Sequence, residues 1–300
     1  MDWEEDPKGI NVAGYGLCVK TEDIAKLGLL YLHKGIYNGE RLLSEEWVVE
    51  ATMKQIDSNP GDGDWSQGYG YQFWRCKPQN AYRGDGAFGQ FCIVMPDQNM
   101  VIAITSESKN MQASMQLLWD HLLPEIHEES LPEDPEGSKL FREKLENLTV
   151  KTSELEKNED LENALHAKVV TLEPNELGFN SIYLALEDNR ITFNGSDTLA
   201  LDFGWNTWRL NPVRGSMPLG TNVNSYIAVK AGFDQMDNLV IERQFVEMAH
   251  RDRLIFRFDG SDVRLKWKES ASLWTEGNEG REINLSGQID DIALYTIILT

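Results

Sequence analysis

A charged segment over residues 128–162 divides this 300-residue sequence into two stretches with different hydrophobic periodicity. Pro132 and Pro135 lie inside the segment, and only residues 141–148 show a weak helical spacing. An acidic, proline-containing composition of this kind is typical of a linker. We therefore predict a first domain over residues 1–127, an acidic linker over residues 128–162 and a second domain over residues 163–300.

The first domain combines helical and strand periodicity. Thr21 is placed to cap a helix that ends at Gly35, and Ser44 opens a second helix that ends before Pro60. A third, strongly amphipathic helix ends at Pro124. Between the second and third helices we predict three strands, of which the last two form a hairpin: residues 69–73, 91–95 and 101–104.

The second domain is predicted to be all-β. Short apolar segments recur about every ten residues, and turn signals such as Asn194-Gly195 and Asp259-Gly260 separate them. This pattern predicts a sandwich or a barrel-like domain. The apolar tail over residues 289–300 has neither a cap nor a turn, and we assign no element to it.

Charge and cysteine content limit the classes of function. With 28 basic and 49 acidic side chains, the formal net charge of −21 repels phosphate backbones and anionic lipid, which argues against a nucleic-acid partner. No apolar run approaches the length of a membrane span, and the acidic first residues do not resemble an export signal. Cys18, Cys76 and Cys92 form no C-x-x-C pair. We expect reduced cysteines in a cytoplasmic chain without metal or cofactor.

The segment from Arg83 to Gln90 is the most informative for chemistry, because three glycines within six residues lead into a buried strand. Glycine permits a positive φ and a close approach of substrate to the backbone, and a strand edge offers N–H groups to a developing oxyanion. From the residues alone, a simple turn or bulge entering a strand is favoured over a catalytic strand edge.

Several motifs together resemble the C-terminal part of serine hydrolases of the β-lactamase-related group, which includes class C β-lactamases, D-alanyl-D-alanine carboxypeptidases, carboxylesterases and 6-aminohexanoate-dimer hydrolases. They span residues 3–124 in the order that the family uses. The matching stretches are Trp3 with residues 6–9, Gly14-Tyr15-Gly16-Leu17, residues 21–28, the turn over residues 35–39, residues 43–48, residues 68–74 and Gly86-Ala87-Phe88-Gly89-Gln90 with its hairpin.

The resemblance implies an α+β fold: the C-terminal part of a β-lactamase-like domain, with helices packed on an antiparallel sheet, followed by the all-β domain. It also places Gly84-Asp85-Gly86 at the position of the family's Lys-Thr-Gly or His-x-Gly triplet, with the Ala87 N–H as an oxyanion donor. Arg83, Gly84, Asp85 and Gly86 would then bind substrate. Because the triplet lacks a cation, a neutral ester, an amide or a short peptide is favoured over penicillin.

The Ser-x-x-Lys and Tyr-x-Asn motifs of this family are missing from their expected place. The literal match Ser106-Glu107-Ser108-Lys109 falls at the end of a predicted strand, and we interpret it as a strand end and helix cap. The chain also has no Gly-x-Ser-x-Gly and no P-loop. We expect this chain to be inactive alone, with an unpaired sheet edge and an apolar face that a separate N-terminal half or self-association would cover.

Other candidate residues carry weaker signals. Asp57, Asp62 and Asp64 offer oxygen ligands, but the closing bidentate acid of a calcium loop is missing, so a solvated turn is predicted. His33 and His121 are expected to be solvated, and the remaining histidines, His127, His166 and His250, are scattered. Trp205, Trp208 and Arg209 offer a sugar or peptide platform. The alternative function is therefore a non-catalytic protein that holds a peptide, glycan or lipid on its all-β domain.

Overall fold

The computed structural model describes residues 2–149, 152–213, 225–272 and 279–289. The chain forms two compact units, one of residues 1–2 and 17–152 and the other of residues 3–16 and 153–300. Helices and antiparallel strands occur together, which confirms the α+β class. The elements up to the boundary at residue 152 are β1 (Asp2–Trp3), β2 (Leu17–Cys18), α1 (Thr21–Leu32), β3 (Ile36–Tyr37), β4 (Glu40–Arg41), α2 (Glu45–Thr52), β5 (Trp74–Arg75), β6 (Tyr82–Gly86), β7 (Gln90–Met95), β8 (Met100–Ile104), α3 (Met111–Leu117) and α4 (Pro135–Glu146).

A four-stranded antiparallel sheet in the order β5-β6-β7-β8 forms the centre of the first unit. One face of β7 packs Phe91 and Ile93 against Met115 and Trp119, which lie on α3 and on the π-helical turn that continues it. The other face is covered by helices α1 and α2: Val94 belongs to a cluster with Ala51 of α2. The sheet is therefore sandwiched between helices.

The approach of α1 to the sheet depends on a glycine. Gly28 is buried, and a Cβ at this position would lie 2.4 Å from Cγ1 of Val101 and 3.1 Å from Sγ of Cys92. The Cys92 thiol donates to the carbonyl of Ile24 at 3.4 Å. Only glycine permits this separation without displacing Val101.

The predicted elements of this unit differ from the observed ones in two respects. Ser44 caps α2 as predicted, with its hydroxyl oxygen accepting from the Trp47 N–H at 3.1 Å, but α1 begins after Lys20 without a side-chain cap. The strand predicted over residues 69–73 is wrong, because Gln72 adopts a φ of 68° and folds the chain into a turn before β5. The hairpin of β7 and β8 is confirmed.

The predicted linker segment contains two helices. Asp134 caps α4 by accepting from the Gly137 N–H at 2.8 Å, and Asn158 caps α5 (Glu159–Leu165). The boundary between the two units falls between Thr152 and Ser153. From there onward the chain is bound to the second unit, where Glu156 and Phe233 exchange backbone hydrogen bonds of 2.9 and 2.7 Å.

The strands of the second unit form one sheet that curls towards a barrel, so the sandwich alternative is not observed. The order is β12-β11-β10-β9-β19-β18-β17-β16-β15, with β13 and β14 both pairing with β15. The strands are β9 (Lys168–Leu172), β10 (Phe179–Ala185), β11 (Arg190–Gly195), β12 (Thr198–Asp202), β13 (Gly204–Trp205), β14 (Arg209–Val213), β15 (Ser225–Phe233), β16 (Leu239–Phe245), β17 (Arg251–Asp259), β18 (Asp262–Glu269) and β19 (Glu282–Ile289).

The side chain of Asn211 helps to join the two ends of this sheet. Asn211 of β14 accepts from the Asp202 N–H of β12 at 2.7 Å and donates to the Asp202 carbonyl at 2.7 Å. Aromatic side chains fill the inside of the curled sheet, and those that are at most 2% exposed are Phe193, Phe203, Phe233, Phe245 and Phe256. The interior is thus a packed core.

Three further predictions concern the chain as a whole. Within the described residues, no helix has both the length and the apolar character needed to cross a bilayer. None of the three cysteines takes part in a disulfide. Ile289 ends β19, and the rest of the apolar tail, residues 290–300, lies outside the described residues.

Candidate functional site

The glycine-rich segment singled out in the sequence forms the half-buried end of β6. Strand β5 pairs with β6 only at Tyr82 and Arg83. From Gly84 to Gly86, no described strand pairs with β6 on that side, while β7 continues to pair on the other. A Cβ at Gly84 would meet nothing within 4 Å, so one face of the strand end is open.

A tight turn from Ala87 to Gly89 connects this strand end to β7. Phe88 and Gly89 have φ values of 63° and 88°, and Phe88 is buried while Ala87 is exposed. Phe88 is a bulky residue in a left-handed conformation, which surrounding contacts must maintain. No described group accepts a hydrogen bond from the Ala87 N–H. The exposed residue Ala87 therefore carries a backbone donor that has no partner among the described residues.

Two side chains and one backbone amide hold the turn in place. The amide of Gln90 donates to the carbonyls of Ala87 at 3.1 Å and Ser106 at 2.7 Å. The Ser106 hydroxyl lies 2.9 Å from the Phe88 carbonyl and 2.8 Å from the Gly89 carbonyl, and the Ser108 N–H donates to the Phe88 carbonyl at 2.8 Å. The backbone of the turn is thus fixed before any ligand binds.

Ser106 does not occupy the position of a catalytic serine. It lies in the connection between β8 and α3, and the cap of α3 is Asn110, whose side chain accepts from the Ala113 N–H at 2.9 Å. Ser106 and Lys109 are therefore not on one helical turn. The interpretation of this segment as a strand end is confirmed, whereas the helix cap is Asn110 and not a residue of the Ser-x-x-Lys match.

Arg83, a predicted substrate-binding residue, is fully buried. Its Nε donates to Asp85 at 2.9 Å, its Nη1 donates to the Arg75 carbonyl at 3.0 Å, and its guanidinium lies 4.4 Å from the centre of the Trp65 ring. The strand period turns the Arg83 side chain into the layer below the sheet, where these contacts hold it.

Asp85 lies beside Arg83 on the same face of β6. Its side chain is 10% exposed, and burial raises the pKa of its carboxyl group, although the Arg83 guanidinium opposes this effect. The nearby Cys76 thiol also faces Arg83, and burial raises its pKa to about 11. This thiol is therefore protonated at neutral pH and is a poor nucleophile.

The prediction of a solvated turn is wrong for Asp64. This residue is fully buried, and its carboxylate accepts from the Lys77 N–H at 2.9 Å, from the Gln112 amide at 2.8 Å and from the Trp119 indole at 3.0 Å. Within the described residues no group of three or more acidic, histidine or cysteine side chains is arranged to hold a metal ion. The partners of Asp64 lie far along the chain, so no local signal reveals its burial.

The second unit contains an ionic cluster that the sequence did not reveal. Arg243 and Asp252 form a buried ion pair on the inward face of the sheet, and Nε2 of His250 lies 2.8 Å from Asp252. Burial alone raises the pKa of Asp252, but Arg243 and His250 together lower it below its ordinary value. His250 is itself buried and therefore belongs to the core of the second unit.

The proposed aromatic platform is not assembled. Trp205 stacks on Phe233 with ring centres 5.8 Å apart, whereas Trp208 is exposed and lies over the ammonium group of Lys230 at 5.3 Å. Arg209 pairs with Asp202 at 3.4 Å. The three side chains therefore have different partners and do not form one surface.

Comparison of the chain with protein-family models and with curated proteins finds no match.

Proposed function

We propose that residues 84–87 form the oxyanion side of an acyl-transfer site, and that this chain is the C-terminal portion of a serine hydrolase of the β-lactamase-related type. The observation that carries the proposal is the N–H of Ala87, which has no hydrogen-bond acceptor among the described residues, belongs to an exposed residue and follows directly on the free edge of β6. The sequence resemblance described above supports the same assignment.

The chemistry needs a donor that is oriented before the reaction begins. When a hydroxyl attacks an ester or amide carbonyl, the carbonyl oxygen becomes an oxyanion, and a fixed N–H group stabilises it without reorganisation. The contacts of Gln90, Ser106 and Ser108 fix the turn that carries Ala87. Removing one such donor typically lowers kcat by about 100- to 1000-fold.

The attacking hydroxyl and its base come from a second polypeptide segment in this proposal. Ser106 is engaged with two carbonyl groups of the turn, and the described residues place no lysine one helical turn from it. The supplied serine attacks the carbonyl carbon, the alcohol or amine leaves with the proton, and water then releases the acyl group. The chain alone should not turn over a substrate.

The proposed substrates are neutral at the position next to the β6 edge. The cation adjacent to this edge in the sequence, Arg83, is buried and paired with Asp85, so it does not reach a substrate carboxylate. A site that lacks a cation forms no ion pair with an anionic substrate, and the charge of that substrate stays unpaired. Esters, amides and short peptides without a carboxylate at this position fit the site best.

Reconstitution tests the proposal. The chain is mixed with a separately expressed N-terminal fragment of a β-lactamase-related hydrolase that carries Ser-x-x-Lys and Tyr-x-Asn, and turnover of p-nitrophenyl acetate and nitrocefin is measured. We expect turnover of p-nitrophenyl acetate only in the mixture, and little turnover of nitrocefin, because its carboxylate finds no cation at this site. Ala87→Pro removes the N–H and should lower kcat by about 100-fold or more, whereas the matched variant Ala87→Ser keeps the donor and should retain activity.

Three results would contradict this function. The first is turnover by the chain alone that Ser106→Ala abolishes, and the second is the absence of turnover in the mixture. The third is an equal loss of activity in Ala87→Pro and Ala87→Ser, because only the first variant lacks the amide proton.

A further inference from the structure

Ser106 belongs to the connection between β8 and α3, and its hydroxyl group faces the turn that follows β6. The hydroxyl oxygen lies 2.9 Å from the carbonyl oxygen of Phe88 and 2.8 Å from that of Gly89. A serine hydroxyl has a single proton to donate, so this proton is directed at two successive carbonyl groups. Ser106 therefore binds the backbone of the turn.

The short distance between this hydroxyl and the turn depends on Gly89. A Cβ at Gly89 would lie 2.4 Å from Oγ of Ser106, and the φ of Gly89 is 88°. A side chain at this position would push the hydroxyl away, and the backbone conformation would be strained. The contact with Ser106 is thus one reason for glycine at position 89.

The turn is held in its conformation through its carbonyl groups. Each carbonyl from residue 86 to residue 89 accepts a hydrogen bond. In chain order, the donors are the Gly89 N–H, the Gln90 carboxamide, the Ser106 hydroxyl with the Ser108 N–H, and the Ser106 hydroxyl again. These bonds keep Phe88 at a φ of 63°, which a bulky residue adopts only where its surroundings impose it. Because the Gly86 carbonyl and the Ala87 N–H form one planar peptide unit, the turn also sets the direction of this N–H.

We propose that Ser106 is a positioning residue, whose hydroxyl holds the turn so that the Ala87 N–H is aimed at the oxyanion, with the Gln90 carboxamide as a second support. This role rests on the proposed function of residues 84–87. It gives Ser106 no contact with the substrate. The negative charge on the carbonyl oxygen develops only as the reaction approaches the tetrahedral intermediate, so loss of the Ser106 hydroxyl should lower kcat and leave KM unchanged.

Kinetics of the reconstituted mixture test this role. Ser106→Ala is assayed with p-nitrophenyl acetate at a saturating concentration of the N-terminal fragment. We expect kcat to fall about tenfold at unchanged KM, because the Ala87 N–H is still present but less well oriented. Gln90→Leu removes the second support, which lies on β7, and should lower kcat in the same way.

Thr105→Val is the matched control for Ser106→Ala. It also removes a hydroxyl group from the connection between β8 and α3, but this hydroxyl lies 3.0 Å from that of Thr21 and does not bind the turn. The control should keep the kcat of the unmodified chain.

Amide hydrogen exchange of the chain without the fragment provides a second measurement that needs no catalytic activity. The N–H groups of Gly89 and Ser108 donate to carbonyl groups of the turn, at 3.3 Å and 2.8 Å. If the Ser106 hydroxyl holds the turn, these two amides should exchange faster in Ser106→Ala than in Thr105→Val, because local opening of the turn becomes more frequent.

The outcomes separate this role from the proposed function. No turnover in the mixture that contains the unmodified chain would refute the proposed function and this role with it. Turnover with the same kcat in Ser106→Ala and Thr105→Val, a change in KM alone, or equal amide exchange in the two variants would overturn this role and leave the proposed function standing. An acetyl group found on Ser106 by mass spectrometry would identify Ser106 as the nucleophile and contradict both.

Discussion

The buried carboxylate of Asp64 gives the sharpest stability prediction for the first unit. It accepts hydrogen bonds from one backbone N–H, one amide and one indole, contributed by Lys77, Gln112 and Trp119. These bonds hold the turn that begins at Asp64, and the next residue, Trp65, stacks on Arg83 behind the β6 edge. Asp64 thus connects α3, its π-helical continuation and the strand that carries the proposed oxyanion donor.

The size of the effect follows from the three donors. Asp64→Ala removes the acceptor from one buried donor, the Trp119 indole, and from two part-buried donors, at a cost of about 1–3 kcal/mol for each donor that water does not reach. A water molecule that enters the vacated space restores part of the hydrogen bonding. We therefore expect the free energy of unfolding to fall by about 3–5 kcal/mol. Asp64→Asn keeps the volume of the side chain but turns its N–H groups towards other donors. It should lower the free energy of unfolding by about 1–3 kcal/mol.

Hydrogen–deuterium exchange of peptides from residues 17–149 measures the stability of this unit separately from the second one. Asp62→Ala is the control, because Asp62 is exposed and lies two residues away on the same turn. Surface substitutions of this kind usually change stability by less than about 0.5 kcal/mol. Equal exchange in Asp64→Ala and Asp62→Ala would refute the claim that the carboxylate holds the turn.

Two further predictions concern packing and charge. Gly28→Ala forces a methyl group against Val101 and should lower the free energy of unfolding by about 1–2 kcal/mol in thermal denaturation, whereas Gly14→Ala, which meets nothing within 4 Å, should not. Because the pKa of folded Asp252 is lowered, its ionised form stabilises the fold above the ordinary value of 3.8, and this contribution is lost as pH falls through the lowered pKa. Asp252→Asn should therefore lower the free energy of unfolding by about 3–5 kcal/mol at neutral pH, because it leaves Arg243 unpaired. The difference in unfolding free energy between the variant and the unmodified chain should shrink in acid. A difference that is the same at all pH values would contradict the ionic role.

Local signals in the sequence predicted those elements whose causes are local. Ser44 lies three residues before the N–H that it binds, so the start of α2 is readable from a short window. Thr21 looks like a similar cap, but its hydroxyl lies 3.0 Å from that of Thr105, which is 84 residues away. Both hydroxyls favour a helix N-terminus, but that of Ser44 binds its own helix, whereas that of Thr21 binds Thr105.

The errors of the sequence analysis arise from long-range contacts. Residues 69–73 alternate like a strand, yet Tyr71 donates to the carbonyl of Ala51 and Gln72 takes a positive φ, so the segment folds back on α2 instead of entering the sheet. Asp64 lies in a polar loop, and nothing nearby indicates that Trp119 covers it. Composition and spacing describe neighbours along the chain, whereas these positions depend on neighbours in space.

The candidate site was predictable in its backbone and not in its side chains. Closely spaced glycines indicated an open strand end, and Gly84 indeed has free space beside it. The same sequence suggested that Arg83 faces a substrate, but the alternation along β6 and the ring of Trp65 place the guanidinium inside the fold. Whether a charge beside a strand end faces inward depends on residues that the motif does not contain.

The junction of β12 and β14 at Asn211, in the curled sheet of the second unit, is not a ladder of main-chain hydrogen bonds. Elsewhere, neighbouring strands are held by ladders of main-chain bonds that must break in succession, but here β12 and β14 are connected by two hydrogen bonds of the Asn211 carboxamide and by the ion pair of Arg209 with Asp202. We expect fluctuations that break these side-chain contacts to admit solvent to one side of the core while the ladders of β16, β17 and β18 stay intact. Local opening of the second unit should therefore begin at this junction, rather than spread evenly over all strands of the sheet.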